Sequence, residues 1–125
     1  MNWFKKSQIN NPKELQEIIN KWRNQGITLY VFERENVIIL DSIIIPKDMR
    51  KQGLGTQIIN ELSQYADSVN KRIELTTGTK DSYQGTTSQN RLKRFYKRLN
   101  FVENKGRNKD FRTRNNMYRE PENKE

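Results

Sequence analysis

VIILDSIIIPKDMRKQGLGTQIINELSQYADSV, residues 37 to 69, is the stretch whose reading decides the fold. It opens on an apolar run, Val37 to Ile45, interrupted by Asp41 and Ser42 and closed by Pro46. Apolar residues in near-continuous sequence predict a central strand covered on both faces. Arg50-Lys51-Gln52-Gly53-Leu54-Gly55 follows, and then Ile58, Ile59, Leu62, Tyr65, Ala66 and Val69 fall at the three- and four-residue spacing of a helix. The order is strand, glycine-containing turn, helix. A helix start presents N–H groups without intrahelical partners and a partial positive charge. Glycine lets the backbone approach an anion closely. A phosphate-bearing ligand is the natural occupant of such a turn.

The residue types in the turn narrow the choice. A P-loop needs Gly-Lys-Ser/Thr, which occurs nowhere in the chain, and the dinucleotide fingerprint needs a third glycine where Ile58 stands. What remains is Arg-x-x-Gly-x-Gly, from Arg50 to Gly55. Alone, these six residues suit an anion cradle and a ligand-free glycine turn equally well.

The flanking sequence builds outward from this centre. Asn11-Pro12 signals a helix start, Leu15, Ile18, Ile19 and Trp22 form one apolar stripe, and Gly26 is placed to stop the helix. Residues 27–33 alternate and are rich in β-branched and aromatic types, so a strand is expected there, turning through 33–36 into the 37–45 strand as a hairpin. After the central helix, Ile73 and Leu75 mark a short strand within 71–77. Strand, helix, strand implies a right-handed crossover and parallel pairing. Residues 78–87 read as a polar loop. Ser88 offers an N-cap to a helix bearing Leu92, Phe95, Tyr96 and Leu99 on one face, with Asn100 as its stop. A strand beginning at Phe101, a basic loop over 103–112 and a last antiparallel strand within 114–119 complete the chain. The expected organisation is a polar arm over 1–10, carrying Trp3-Phe4, one domain over 11–119, and a disordered tail over 120–125.

Composition limits the chemistry. A chain of 125 residues suits one modest core; 32% apolar and 31% charged residues imply a very polar surface around it. There is no cysteine and no histidine, so thiolate chemistry, disulfides and histidine-ligated metals are excluded. Proton transfer falls to carboxylate, tyrosine, lysine or water. No apolar run has membrane-spanning length, and the start lacks the apolar core of a secretory signal, so an intracellular, cytoplasmic protein is expected. The net charge of +9 fits either attraction of an anionic ligand or a nucleic-acid or acidic-protein partner, with basic residues thickest between Arg91 and Arg119.

Arg50 to Gly55 resembles the pyrophosphate loop of the GNAT superfamily of acyl-CoA-dependent N-acetyltransferases. The segment from Ser88 to Phe101 is similar to that superfamily's second signature: Asn90, then Phe95-Tyr96, then Asn100-Phe101 where Gly-Phe is usual. The Ser-Gln-x-x-Leu-x-x-Phe-Tyr wording looks like small phage and mobile-element members, one group of which acetylates a lysine of an RNA-guided nuclease. The resemblance implies an α/β (α+β) GNAT fold, a mixed sheet split around an acyl-CoA site and flanked by helices.

The resemblance also implies roles. Backbone amides of Lys51, Gln52, Gly53, Leu54, Gly55 and Thr56 would cradle the pyrophosphate of acetyl-CoA, with Arg50 adding charge. Ile44 and Ile45 would pair with the pantetheine arm, and Asn90 would hydrogen-bond it. Tyr96 would protonate the leaving thiolate; helical spacing alone favours a core aromatic, and the match to the signature reverses that. Asp41, through a water, or water alone, would take the amine proton. Asp81 and Asp110 would hold a cationic acceptor or simply be surface charge. The acceptor is a protein lysine, an N-terminus or a small amine; the competing reading is a nucleic-acid-associated protein using the basic 91–119 face.

Overall fold

The computed structural model describes residues 12–77 and 89–122. Helix α1 (Pro12–Arg23) leads into the hairpin β1 (Thr28–Glu33) and β2 (Val37–Ile44). A short 3-10 turn, Lys47–Met49, precedes α2 (Leu54–Ser68) and β3 (Arg72–Leu75). Helix α3 (Gln89–Arg98), β4 (Val102–Glu103) and β5 (Met117–Arg119) follow. The five strands lie in the order β1-β2-β3-β5-β4. Only β2 and β3 run parallel among these pairs, as the intervening helix requires. This is the mixed, helix-flanked α+β sheet that the sequence implies.

The core is drawn from the periodic positions. Leu15, Ile19 and Trp22 of α1 and Ile58, Ile59, Leu62, Tyr65 and Ala66 of α2 are buried against Leu29, Val31, Ile38, Leu40, Ile73 and Leu75 of the sheet. The Trp22 indole N–H donates to Glu61 at 2.8 Å and Lys21 pairs with the same carboxylate at 2.6 Å, fixing α1 against α2. Gly26 and Asn100 take positive φ, 92° and 75°, and end the helices at those points.

Two features of the sheet position the site. The first is a bulge: Tyr30 faces Ser42 and Val31 faces Leu40, so Asp41 has no partner across the hairpin. The second is a parting. Strands β2 and β3 pair only over Val37↔Arg72, Ile38↔Ile73 and Ile39↔Glu74. Beyond Ile39, β2 runs on to Ile44 without a strand on that side among the described residues.

The chain end departs from expectation. Glu120 to Glu122 do not trail away: the Glu122 amide donates to Asp67 at 2.8 Å, Asn100 donates to the Glu122 carboxylate at 2.8 Å, and Arg72 pairs with Glu120. The anchor beneath them is Arg119, buried on β5, whose guanidinium donates to both oxygens of Asp67 at 2.8 and 3.2 Å. A buried cation that loses its closer carboxylate, and keeps only Glu122 at 3.4 Å, is left costly. Asp67→Ala is therefore expected to destabilise the fold by roughly 2–4 kcal/mol, read as a lower urea midpoint at unchanged slope. Adding Arg119→Met to that variant should recover part of the loss.

Glu103 carries a pH dependence. Its carboxylate accepts from Lys97 at 2.6 Å, with Lys93 and Lys105 within 3.5 Å, and Lys97 first and Lys105 next lower its pKa to about 2 from 4.5. A depressed folded pKa contributes stability above pH 4.5 that is lost as pH falls toward 2. Being a surface cluster, it is worth about 1 kcal/mol or less. Glu103→Gln should flatten the acid limb of a urea-midpoint series in that window and leave the neutral midpoint slightly lower.

Candidate active site

Between Ile45 and α2 the chain makes a tight turn through Lys51 (φ 66°) and Gly53 (φ 75°), with Gly53 as the helix N-cap. Left-handed residues set close together turn successive amides inward, the geometry of an anion nest. Among the described residues, no amide from Lys51 to Thr56 donates to a backbone carbonyl; the first to do so is Gln57, to Gly53 at 3.1 Å. No side chain caps the helix, and its first turn holds no acidic residue. Lys51, Gln52, Gly53 and Thr56 are exposed, Leu54 and Gly55 half-buried. A start of this kind on a helix of 15 residues attracts an anion.

Gly55 brings three elements together. A Cβ there would lie 3.3 Å from Phe95 Cζ on α3 and 3.7 Å from Ile45 Cδ1 at the end of β2. The turn, the end of the parted strand and the face of α3 beside Tyr96 therefore meet at one point. Phe95 is a site-lining residue that sequence reasoning left as mere core. Its place in the Phe-Tyr pair was the available signal.

Tyr96 is buried, with its ring edge-on to Phe95 and Phe101 at centroid distances of 5.1 and 5.3 Å. Its hydroxyl has no hydrogen bond among the described residues. Burial pushes the phenol well above its usual 10. It therefore stays protonated throughout the neutral range.

The remaining expected residues divide. Arg50 donates from Nε to the Ile45 carbonyl at 2.8 Å, so it ties the strand end to the turn and uses one of the acceptors foreseen for the pantetheine arm. Ile44 and Ile45 are half-buried on the side where the sheet parts. Asn90 is exposed in the first turn of α3. Asp41 is exposed at the bulge and forms no hydrogen bond or ion pair among the described residues. Asp110 is not open to an acceptor. It pairs with Arg72 at 2.6 Å and Arg112 at 2.9 Å and accepts the Arg112 amide, contacts that hold its carboxyl far below the usual range. Asp81, the 78–87 loop, Ser88 and the Trp3-Phe4 arm lie outside the described residues.

No curated protein matches the chain. Among solved structures, the crystal structure of anti-CRISPR protein AcrVA5 is similar, at 22% identity and a TM-score of 0.58, over 75% of this chain and 90% of that one. A scan against protein families matches an acetyltransferase (GNAT) domain over residues 16–103, the greater part of the chain. That match spans more than half of the chain, and the chain belongs to the GNAT acetyltransferases.

Proposed function

We propose that the protein transfers an acetyl group from acetyl-CoA to a primary amine by direct attack within a ternary complex. The observation that carries this reading is the turn of unbonded amides, Lys51 to Thr56, set against the parting of β2 from β3. These amides, at a helix start free of carboxylates, suit a pyrophosphate. The open side of β2 from Leu40 to Ile44 suits an extended amide-bearing arm, which would add to the sheet like a strand. Asn90, exposed at the start of α3, is a donor for the same arm.

The chemistry follows from what the chain supplies. The acceptor nitrogen attacks the thioester carbonyl, the C–N bond forms and the C–S bond breaks. The amine proton leaves to water, or through water to Asp41, whose exposure gives it ready access to solvent. The thiolate takes a proton from Tyr96, the buried phenol held protonated on α3. Most of the acceleration in this scheme comes from alignment of thioester and amine. The phage or mobile-element assignment rests on the wording of the second signature, and the similarity to an anti-CRISPR protein is in keeping with it.

Intact-mass analysis of candidate proteins and amines, incubated with the purified chain and labelled acetyl-CoA, tests the reaction. A gain of one labelled acetyl group on an amine is expected. Thioester loss as free acetate, with no amine labelled across the panel, would tell against a transferase.

A further inference from the structure

The loop between β4 and β5 carries five exposed cations, Lys105, Arg107, Lys109, Arg112 and Arg114, and a single acid, Asp110. That acid is already satisfied by Arg72 and Arg112, and Lys105 leans on Glu103. Among the described residues, Arg107, Lys109 and Arg114 form no ion pair and make a positive surface. Among them stands Phe111, 87% exposed, with the Lys109 ammonium 5.4 Å from its ring centroid.

The loop holds this display in place from beneath. The buried Asn104 donates through Nδ2 to the carbonyls of Asp110, Thr113 and Asn115 and accepts the Asp110 amide at 2.6 Å. Thr113 and Asn115 donate to the buried Glu74 at 2.8 and 2.9 Å, and the Tyr118 hydroxyl donates to the Asn108 carbonyl at 2.6 Å. A loop fixed in this way has little ordering cost left for a partner to bear. Its far end is fastened to the end of β3: Thr76 donates to Asn115, and Asn116 exchanges two hydrogen bonds with the Thr77 backbone. That is where β3 leaves β2, so the loop's end at 115–116 stands beside the parting, while Asp110, held by Arg72 at the start of β3, lays the rest of the loop along the sheet from there.

We propose that residues 105–114 are the docking surface for the acceptor, and that the acceptor is a protein lysine set among carboxylates. The inference rests on the transferase reading above and gives it a substrate class. A fixed aromatic with arginines around it is the composition of a protein-binding surface. Its charge draws acidic surfaces and repels polyamines and lysine-rich tails.

The test uses the full chain and three labelled peptides of equal length, each with one lysine flanked by glutamates, glutamines or arginines. Affinity is read by fluorescence anisotropy, so it does not depend on turnover. The glutamate peptide is expected to bind roughly tenfold or more tighter than the arginine peptide, with the gap narrowing as salt rises. The double variant Arg107→Glu, Arg114→Glu should reverse that order. Equal binding of the three peptides by the wild type overturns the proposal, as does an order that survives in the double variant. A DNA duplex that binds with steep salt dependence while the peptides go undistinguished overturns it in favour of a nucleic-acid footprint. The acetyl-CoA melting shift, measured on the same samples, reports on the transferase reading separately.

Discussion

Gly55→Glu is expected to abolish the acetyl-CoA-dependent rise in melting temperature. For the native chain, ligand at a hundred times its dissociation constant stabilises by about 2.7 kcal/mol, which for a domain of this length is roughly 10 °C. The variant loses that shift for two reasons. A side chain at position 55 starts 3.3 Å from Phe95 and 3.7 Å from Ile45, so it has no room on the α3 side and is turned toward the cradle. Once there, its carboxylate meets the same unpartnered amides that would receive a phosphate, and repels the phosphate by charge. The ligand-free variant should melt close to wild type, because an acid in the first turn of a helix is favourable by about 0.3–1 kcal/mol and glutamate is the better helix former. Gly55→Ala separates sterics from charge. Its methyl asks the tip of Phe95 to yield by tenths of an ångström, so the shift should shrink but persist. An undiminished shift in Gly55→Glu would mean that acetyl-CoA binds elsewhere.

That the glycine turn could be read in the sequence at all follows from its being local. Arg50 to Gly55, the periodicity of α2, and the stops at Gly26 and Asn100 are each set by neighbours a few residues away. The interruption at Asp41 was visible too, although which residue of β2 would be left out of register was not, because that depends on the pairing with β1. Long-range contacts were out of reach. The depth of the parting depends on how short β3 is and on the hold that Asn115 and Asn116 keep on Thr76 and Thr77. Glu120 to Glu122 read as a polar tail because their partners, Arg72, Asn100 and Asp67, are distant in the chain. Asp110 looked like a candidate for the same reason: nothing nearby in sequence revealed Arg72 beneath it. Arg50 matched a signature position and was credited with charge alone, whereas its bond to the Ile45 carbonyl also joins strand to turn.

Tyr96→Phe is expected to lower turnover by about 10²- to 10³-fold with acetyl-CoA affinity unchanged. The substitution removes one oxygen and keeps the ring that Phe95 and Phe101 pack edge-on, so the core loses no volume that matters. The hydroxyl has no hydrogen bond among the described residues, and its removal leaves no partner stranded. Ligand-free stability should therefore hold or rise slightly, whereas Tyr96→Ala would cost roughly 3–5 kcal/mol through the cavity. What Tyr96→Phe takes away is the proton. Burial raises the phenol above its usual 10, so it is a reluctant acid toward water and donates only when charge gathers on the departing sulfur. The same shift fixes the pH profile. Turnover should climb with pH as the acceptor amine loses its proton and show no alkaline fall below about pH 10, because the phenol is still protonated there. Single-turnover rates and acetyl-CoA titrations of the two proteins separate the effects. Equal single-turnover rates would return Tyr96 to the core and leave the thiolate to be protonated by solvent.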